Sequence, residues 1–197
     1  VLVGTHVGMA IGKDGVTQMG LEDVSIMRAL PNMKVLNPAT FSETKKVIEF
    51  LSETELDSPY YLRLGRQPVK DMDIPFELGK GQIVKEGNDM ESANVIEEKT
   101  SKSVRVVSFT SLKPIDKDMI VKCAKDTEHL FTIEDHSIIG GLGSIVSDVL
   151  SEEYPSKVVK IGLNDVFPES APPADLYEKY GLSSNQISKR VISELDK

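Results

Sequence analysis

The sequence predicts an α/β protein made of two α/β units with mostly parallel sheets. Short apolar, β-rich runs alternate with helical patterns along the chain, the rhythm of a parallel sheet covered by helices. A proline- and charge-rich stretch divides the alternation in two. With 197 residues and 40% hydrophobic content, the chain can bury a core large enough for one large domain or two small ones.

The chain opens in an apolar strand at Val1-Leu2-Val3, with no methionine, so its first residue is expected to fall mid-domain. A helix is expected over 21–30, stopped by Pro31, then a buried strand at Lys34-Val35-Leu36. An amphipathic helix follows over 42–51, with Thr40 and Ser42 as capping candidates and Val47, Ile48 and Leu51 at helical spacing. Tyr60-Tyr61-Leu62-Arg63-Leu64 returns as a strand. Residues 67–75 hold two prolines, three charged residues and little periodicity, which places a linker at 67–80 between a unit of 1–66 and a unit of 81–197. In the second unit a strand is expected over 104–109, a helix over 116–124 and a strand over 130–133. Gly140-Gly141-Leu142-Gly143 then leads into a helix over 144–150. A strand over 158–161 and a C-terminal helix from Ser183 or Ser184 complete it; the chain has no internal repeat and no low-complexity tract.

Composition narrows the function classes. No apolar run approaches the ~20 residues needed to span a bilayer, and the start lacks the basic and apolar regions of a signal peptide, so a soluble, cytoplasmic protein is expected. Cys123 is the single cysteine, which excludes an internal disulfide and a cysteine-based metal cage and suits a reducing compartment. A formal net charge of −8 argues against a nucleic-acid partner, whose phosphates need clustered Lys and Arg. Small anionic substrates stay open, because a few cations in a cleft set the local field.

The densest cluster of candidate chemistry is the glycine-rich stretch from Thr5-His6 to Glu22-Asp23, where glycines let backbone approach a ligand and His6, Asp14 and Gln18 supply an imidazole, a carboxylate and an amide. Arg66 ends the strand Tyr61-Leu62-Arg63-Leu64-Gly65-Arg66, and open α/β sheets bind ligands at the carboxyl ends of strands. Its guanidinium suits a bidentate grip on a phosphate, with His6 as a second donor. By spacing alone, a lone Arg or His near a strand end is more often structural. Three look-alikes fall away. Gly12-Lys13 lacks the preceding glycine of a P-loop and has Asp14 in place of the magnesium-binding Ser or Thr. Gly140-Gly141-Leu142-Gly143 lacks the third glycine of a dinucleotide fold and is expected to pack loop on helix. Glu134-Asp135-His136 has too few convergent donors for a metal and is expected to be structural or interfacial.

The loop resembles the substrate loop of transketolase. Transketolases carry a His there, a Gly-x-Asp-Gly-x-Thr or Ser segment, a His or Gln, a Leu-Glu-Asp-like helix start and an Arg-x-x-Pro-Asn-like stop. The matching residues are His6, Gly12-Lys13-Asp14-Gly15-Val16-Thr17, Gln18, Leu21-Glu22-Asp23 and Arg28-Ala29-Leu30-Pro31-Asn32. Gln18-Met19 is similar to the animal-type variant, while Lys13 stands where Glu is usual and Val16 where Pro is common. Past the linker, Lys113-Pro114-Ile115-Asp116, Glu134-Asp135-His136, Gly140-Gly141-Leu142-Gly143-Ser144 and Lys179-Tyr180-Gly181-Leu182 extend the resemblance over nearly the whole chain, as the end of a pyrimidine-binding domain followed by a transketolase C-terminal domain.

The resemblance implies transfer of a two-carbon ketol unit from a ketose phosphate to an aldose phosphate, in pentose phosphate metabolism. His6 and Arg66 would hold the sugar phosphate and Asp14 the hydroxyl next to the reacting carbon. Gln18 would sit near the carbonyl, orienting it, since an amide donates and accepts but does not shuttle protons. It also implies thiamine diphosphate and a divalent cation, magnesium or calcium. Their ligands, with the activating glutamate, are expected upstream of Val1 and in an N-terminal transketolase domain or subunit. No cofactor or metal ligand is assigned to this chain, which is expected to be active only with that partner, as a homodimer or heterotetramer. Relatives have a strand and the first turns of a helix before Ala93-Asn94-Val95-Ile96, so a gap of roughly fifteen residues is expected near Asp89-Met90. It is either a deletion or an unobserved segment, and the sheet edges it would leave unpaired favour the latter. The alternatives are 1-deoxy-D-xylulose-5-phosphate synthase, against which His6 counts because that family has Asp-Arg in the region, and a non-catalytic assembly subunit or fragment. An oxo-acid dehydrogenase β subunit would leave Arg66 and the Asp14 loop without a use.

Overall fold

The structure is a computed structural model that describes residues 1–85 and 91–195; the gap expected near Asp89-Met90 lies outside the described residues. Strand β1 (Leu2–Val7) runs into two short 3-10 segments, Met9–Asp14 and Val16–Gln18. Helix α1 (Asp23–Ala29), β2 (Lys34–Leu36), α2 (Phe41–Glu53) and β3 (Tyr60–Gly65) follow. After β3 come β4 (Gln82–Lys85), α3 (Glu91–Thr100), β5 (Val106–Ser108), β6 (Ser111–Lys113), α4 (Lys117–Asp126), β7 (Leu130–Ser137), α5 (Leu142–Glu153), β8 (Val158–Leu163), α6 (Pro173–Lys179) and α7 (Ser184–Leu195). No described helix is long and apolar enough to cross a membrane.

Local chemistry explains the helix starts. Thr40 caps α2 by accepting the Glu43 N–H at 3.2 Å, while the Glu43 carboxylate accepts the Ala39 N–H at 2.5 Å, a reciprocal arrangement that satisfies two donors at the helix entry. Asp116 caps α4 through the Met119 N–H at 3.0 Å, and its other oxygen accepts the Gly81 N–H at 3.0 Å.

The main sheet has the order β1-β3-β2-β6. β1 and β2 each pair parallel to β3, and β6 pairs antiparallel to β2. β7 and β8 form a parallel pair and β4 and β5 an antiparallel one, so the α/β class with mostly parallel sheets holds. The strand expected over 104–109 is shorter, and the chain forms a separate strand, β6, that crosses to the sheet of the first half. The expected helix over 144–150 begins at Leu142, because Glu134 accepts the Leu142 and Gly143 N–H groups at 2.7 and 2.9 Å and so stabilises an earlier first turn.

The two halves share core. Val24, Met33, Val35 and Tyr61 pack with Leu112 and Ile145. Met9, Ile11, Met19 and Leu21 of the glycine-rich loop pack with Leu163 and Leu176. Burying each such side chain contributes roughly 1.5–3 kcal/mol, so the loop is held by apolar burial against the second half as well as by its own backbone. The segment after β3 lies along α2: Asp71 accepts the Ser42 N–H at 2.9 Å, the Thr40 hydroxyl donates to the Met72 carbonyl at 2.9 Å, and Lys46 meets Asp73 at 2.5 Å.

Candidate functional site

The site forms where β1 and β3, adjacent and parallel, reach their carboxyl ends. Their register pairs Thr5 with Leu64 and Val7 with Gly65, so one residue, His6, is out of register. His6 has φ 65°, in the left-handed region that non-glycine residues rarely occupy, and this local irregularity turns the side chain away from the regular alternation of the strand. Its ring is exposed, with Nδ1 3.0 Å from the Thr5 hydroxyl.

The following loop separates its residues by polarity. Met9, Ala10, Ile11 and Met19 are buried, whereas Lys13, Asp14, Thr17 and Gln18 are exposed. Gly12, at φ 67°, permits the turn between them, and a Cβ there would stand 2.8 Å from Pro173 Cδ of α6. The Ser170 hydroxyl donates to the Lys13 carbonyl, and Gln67 Nε2 donates to the Ala10 carbonyl at 3.0 Å.

Arg66, one residue beyond β3, places Nη1 3.2 Å from Asp14 Oδ2, with side chains 48% and 56% exposed. The structure therefore joins Asp14 to Arg66 and sets His6 at the neighbouring strand end. Gln18 stands on the exposed side of the same loop, and no hydrogen bond among the described residues ties it or His6 to the Arg66–Asp14 pair. The arrangement offers a cation and a carboxylate side by side at an exposed strand end, with an imidazole on the adjacent strand. That donor and acceptor set suits a ligand carrying both an anion and hydroxyls.

Beneath the loop lies a buried polar network absent from the sequence-derived site. Arg63, 6% exposed, donates from Nε to Asp23 Oδ2 at 2.9 Å and from Nη2 to the carbonyls of Gly20 and Asp135 at 3.1 and 2.9 Å. The Tyr61 hydroxyl donates to the same Asp23 oxygen at 2.7 Å; burial is the main cause that pushes this phenol upward. The Asp135 carboxylate accepts the Met9 N–H at 3.0 and 3.1 Å and the Tyr177 hydroxyl at 2.7 Å, and burial, with Asp135 beside it, also raises Tyr177. A charged residue inside the apolar run Tyr60-Tyr61-Leu62-Arg63-Leu64 is the sequence feature that marks such a network.

The run Glu134-Asp135-His136 has three separate tasks, in keeping with its expected structural role. Glu134 bonds the first turn of α5, and burial raises its carboxyl. Asp135 holds the loop. His136, 2% exposed, has Nδ1 2.6 Å from the Ser137 carbonyl, which fixes the proton on Nδ1 and leaves Nε2 an acceptor. Nε2 faces Asp23 Oδ1 at 3.8 Å; neither atom has a hydrogen-bond partner among the described residues, since both are acceptors while the ring is neutral. Burial lowers the His136 pKa and so maintains that state. Gly141 is required here: a Cβ would fall 1.9 Å from Glu134 Oε2 on β7, so the Gly140-Gly141-Leu142-Gly143 segment packs mainly against strands where packing on a helix was expected; Gly140 meets a helix, its Cβ position lying 2.4 Å from Ser25 Cβ of α1.

The transketolase pyrimidine-binding domain model matches residues 1–71, and the transketolase C-terminal domain model matches residues 79–187. A protein of Methanocaldococcus jannaschii named, by inference, as a transketolase C-terminal section is 36% identical over all of this chain and 66% of its own length. One of the subunits of an apulose-4-phosphate transketolase of Phocaeicola vulgatus is 30% identical over all of this chain and 67% of its own. Among solved structures, a split-gene transketolase described as an inactive β4 tetramer matches 97% of this chain and 65% of that one, with a TM-score of 0.85 at 41% identity. The chain thus spans about two thirds of the length of the relatives it matches. Both family models and these relatives agree, and the chain belongs to the transketolase family.

Proposed function

We propose that this chain is the sugar-orienting part of a thiamine diphosphate-dependent transketolase that moves a two-carbon ketol unit from a ketose phosphate to an aldose phosphate. The observation that carries the proposal is the Arg66–Asp14 pair at the end of β3. An incoming phosphate competes with Asp14 for the guanidinium, binding it bidentately with His6 as a second donor, and the Asp14 carboxylate turns to accept a sugar hydroxyl. Gln18, on the same exposed side of the loop, donates or accepts toward the carbonyl and orients it without moving a proton. Pentose phosphate metabolism in the cytoplasm is the setting in which such substrates occur.

Among the described residues no three His, Cys, Asp or Glu side chains are grouped to hold a metal ion. In this reading the chain holds the sugar phosphate, and we assign the diphosphate with its magnesium or calcium to an N-terminal section acting as a partner domain or subunit. When bound there, thiamine diphosphate supplies the chemistry of carbon–carbon cleavage; this chain binds, orients and discriminates the sugar. One relative is named as a single subunit of its transketolase, and another is inactive as a tetramer of β chains; both support an assembly of two kinds of section, either as a homodimer of joined sections or as a heterotetramer.

Ketol transfer is to be measured for the chain with thiamine diphosphate, alone and mixed with a polypeptide carrying the family's N-terminal section. The proposal predicts transfer only in the mixture. Turnover by the chain alone would remove the need for a partner, and a mixture that binds the cofactor yet transfers nothing would overturn the activity.

A further inference from the structure

The glycine-rich loop is closed at its base by groups from the second half of the chain. The Gly8 N–H donates to the Gly20 carbonyl at 2.8 Å, so the loop leaves and rejoins the sheet at one point. At its entry, the Asp135 carboxylate on β7 takes the Met9 N–H with both oxygens; at its exit, Arg63 takes the Gly20 carbonyl. Arg63 also binds the Asp135 carbonyl at 2.9 Å, so entry and exit are fastened to the same two residues. The approach leaves no spare space: Gly8 has φ 74°, and a Cβ there would lie 2.1 Å from Asp135 Oδ2. Tyr177 on α6 completes the clasp, donating to that oxygen at 2.7 Å.

We infer that Asp135, held by Tyr177, is a positioning residue for the sugar site: it fixes where the loop presents Asp14 and Gln18, so that the C-terminal half of the chain takes part in substrate selectivity. This rests on the reading of Asp14 as a substrate contact. A carboxylate bonded to a backbone N–H at the first turn of the loop sets the direction in which the following residues emerge, and misplacement of about 1 Å at a substrate-contacting group suffices to lose binding geometry. Asp135 itself does not touch the sugar in this arrangement, since its carboxylate lies beneath the loop against Met9 and Gly8.

The test uses the assembled enzyme with thiamine diphosphate saturating, and two ketose phosphates that differ in configuration at the carbon bonded by Asp14. Asp135→Ala is expected to raise the donor KM by about tenfold with kcat within about threefold, and to narrow the preference between epimers in the same sense as Asp14→Ala. Asp135→Asn, which keeps one carbonyl acceptor for Met9, is expected to restore much of the preference. The double variant with Asp14→Ala is expected to be no less selective than Asp14→Ala alone, because both act through one contact. A lowered melting temperature with KM and preference unchanged would make Asp135 merely structural and overturn the inference while the sugar-site reading stands. Asp14→Ala without effect on preference would overturn both. Should Asp135→Ala fail to assemble, Tyr177→Phe decides: a KM rise of about threefold at unchanged melting temperature supports the inference, and an unchanged KM overturns it.

Discussion

Arg66 Nη1 lies 3.2 Å from Asp14 Oδ2, across a separation of 52 residues in the chain. With both side chains about half exposed, such a pair contributes no more than ~1 kcal/mol to folding, so substitutions at either residue report mainly on what they bind. Asp14→Ala is expected to lower activity on the natural ketose phosphate far more than on its epimer, because a site built to bond one hydroxyl rejects the sugar that lacks it there. Kinetics on the two epimers check this; an equal fall on both would leave Asp14 as a support of loop shape.

Arg63 should matter to stability more than any of the exposed site residues. It is 6% exposed and binds one carboxylate, two backbone carbonyls and the side-chain carbonyl of Asn37. Arg63→Met removes one partner of a buried pair and leaves the Asp23 carboxylate uncompensated, a loss of about 3–5 kcal/mol. Urea unfolding of the variant and the parent measures it, and a difference below ~1 kcal/mol, the range of an exposed pair, would contradict the role given to this network.

Acid should weaken the fold through His136. Its pKa is lowered from the ordinary 6.5, first by burial and further by Arg63, while the Ser137 carbonyl and Asp23 act in the opposite direction. Between the folded value and 6.5 the unfolded chain binds more protons, so this contribution is fully present above 6.5 and is lost as the pH falls through the folded value. Glu134, 3.8 Å from Nδ1 and raised by burial, has the opposite sign: its contribution is present below 4.5 and lost as the pH rises through its folded value. The difference between parent and His136→Gln isolates the histidine. Melting curves from pH 5 to 8 should show a shallower acid loss in the variant, and identical pH dependences would contradict the assignment.

Features encoded in neighbouring residues were legible in the sequence. Thr40 and Ser42 stand out as capping candidates, of which Thr40 caps α2 and Ser42 lies within its first turn, and β1 and β3 are visible as short apolar runs. The position of Arg66 at a strand end follows from the same run. Pairings between distant segments were not legible: Ser111-Leu112-Lys113 is too short to stand out, and it becomes a strand only because β2 offers it an edge. The proline-led helix α6 reads locally as a break, although Pro173 is accommodated in its first turn. The same limit hid the clasp, since nothing near Asp135 in sequence indicates that Met9 and Tyr177 are its partners.

Phosphate recognition by Arg66 is the direct test of the sugar-site assignment. In the assembled enzyme, KM is to be compared for a phosphorylated acceptor and its unphosphorylated counterpart, with and without Arg66→Ala. Loss of a charged hydrogen bond is expected to cost about 1.5–3 kcal/mol for the phosphorylated sugar and to leave the unphosphorylated one nearly unchanged. An equal loss for both would mean that Arg66 supports the loop through Asp14 and does not hold the phosphate.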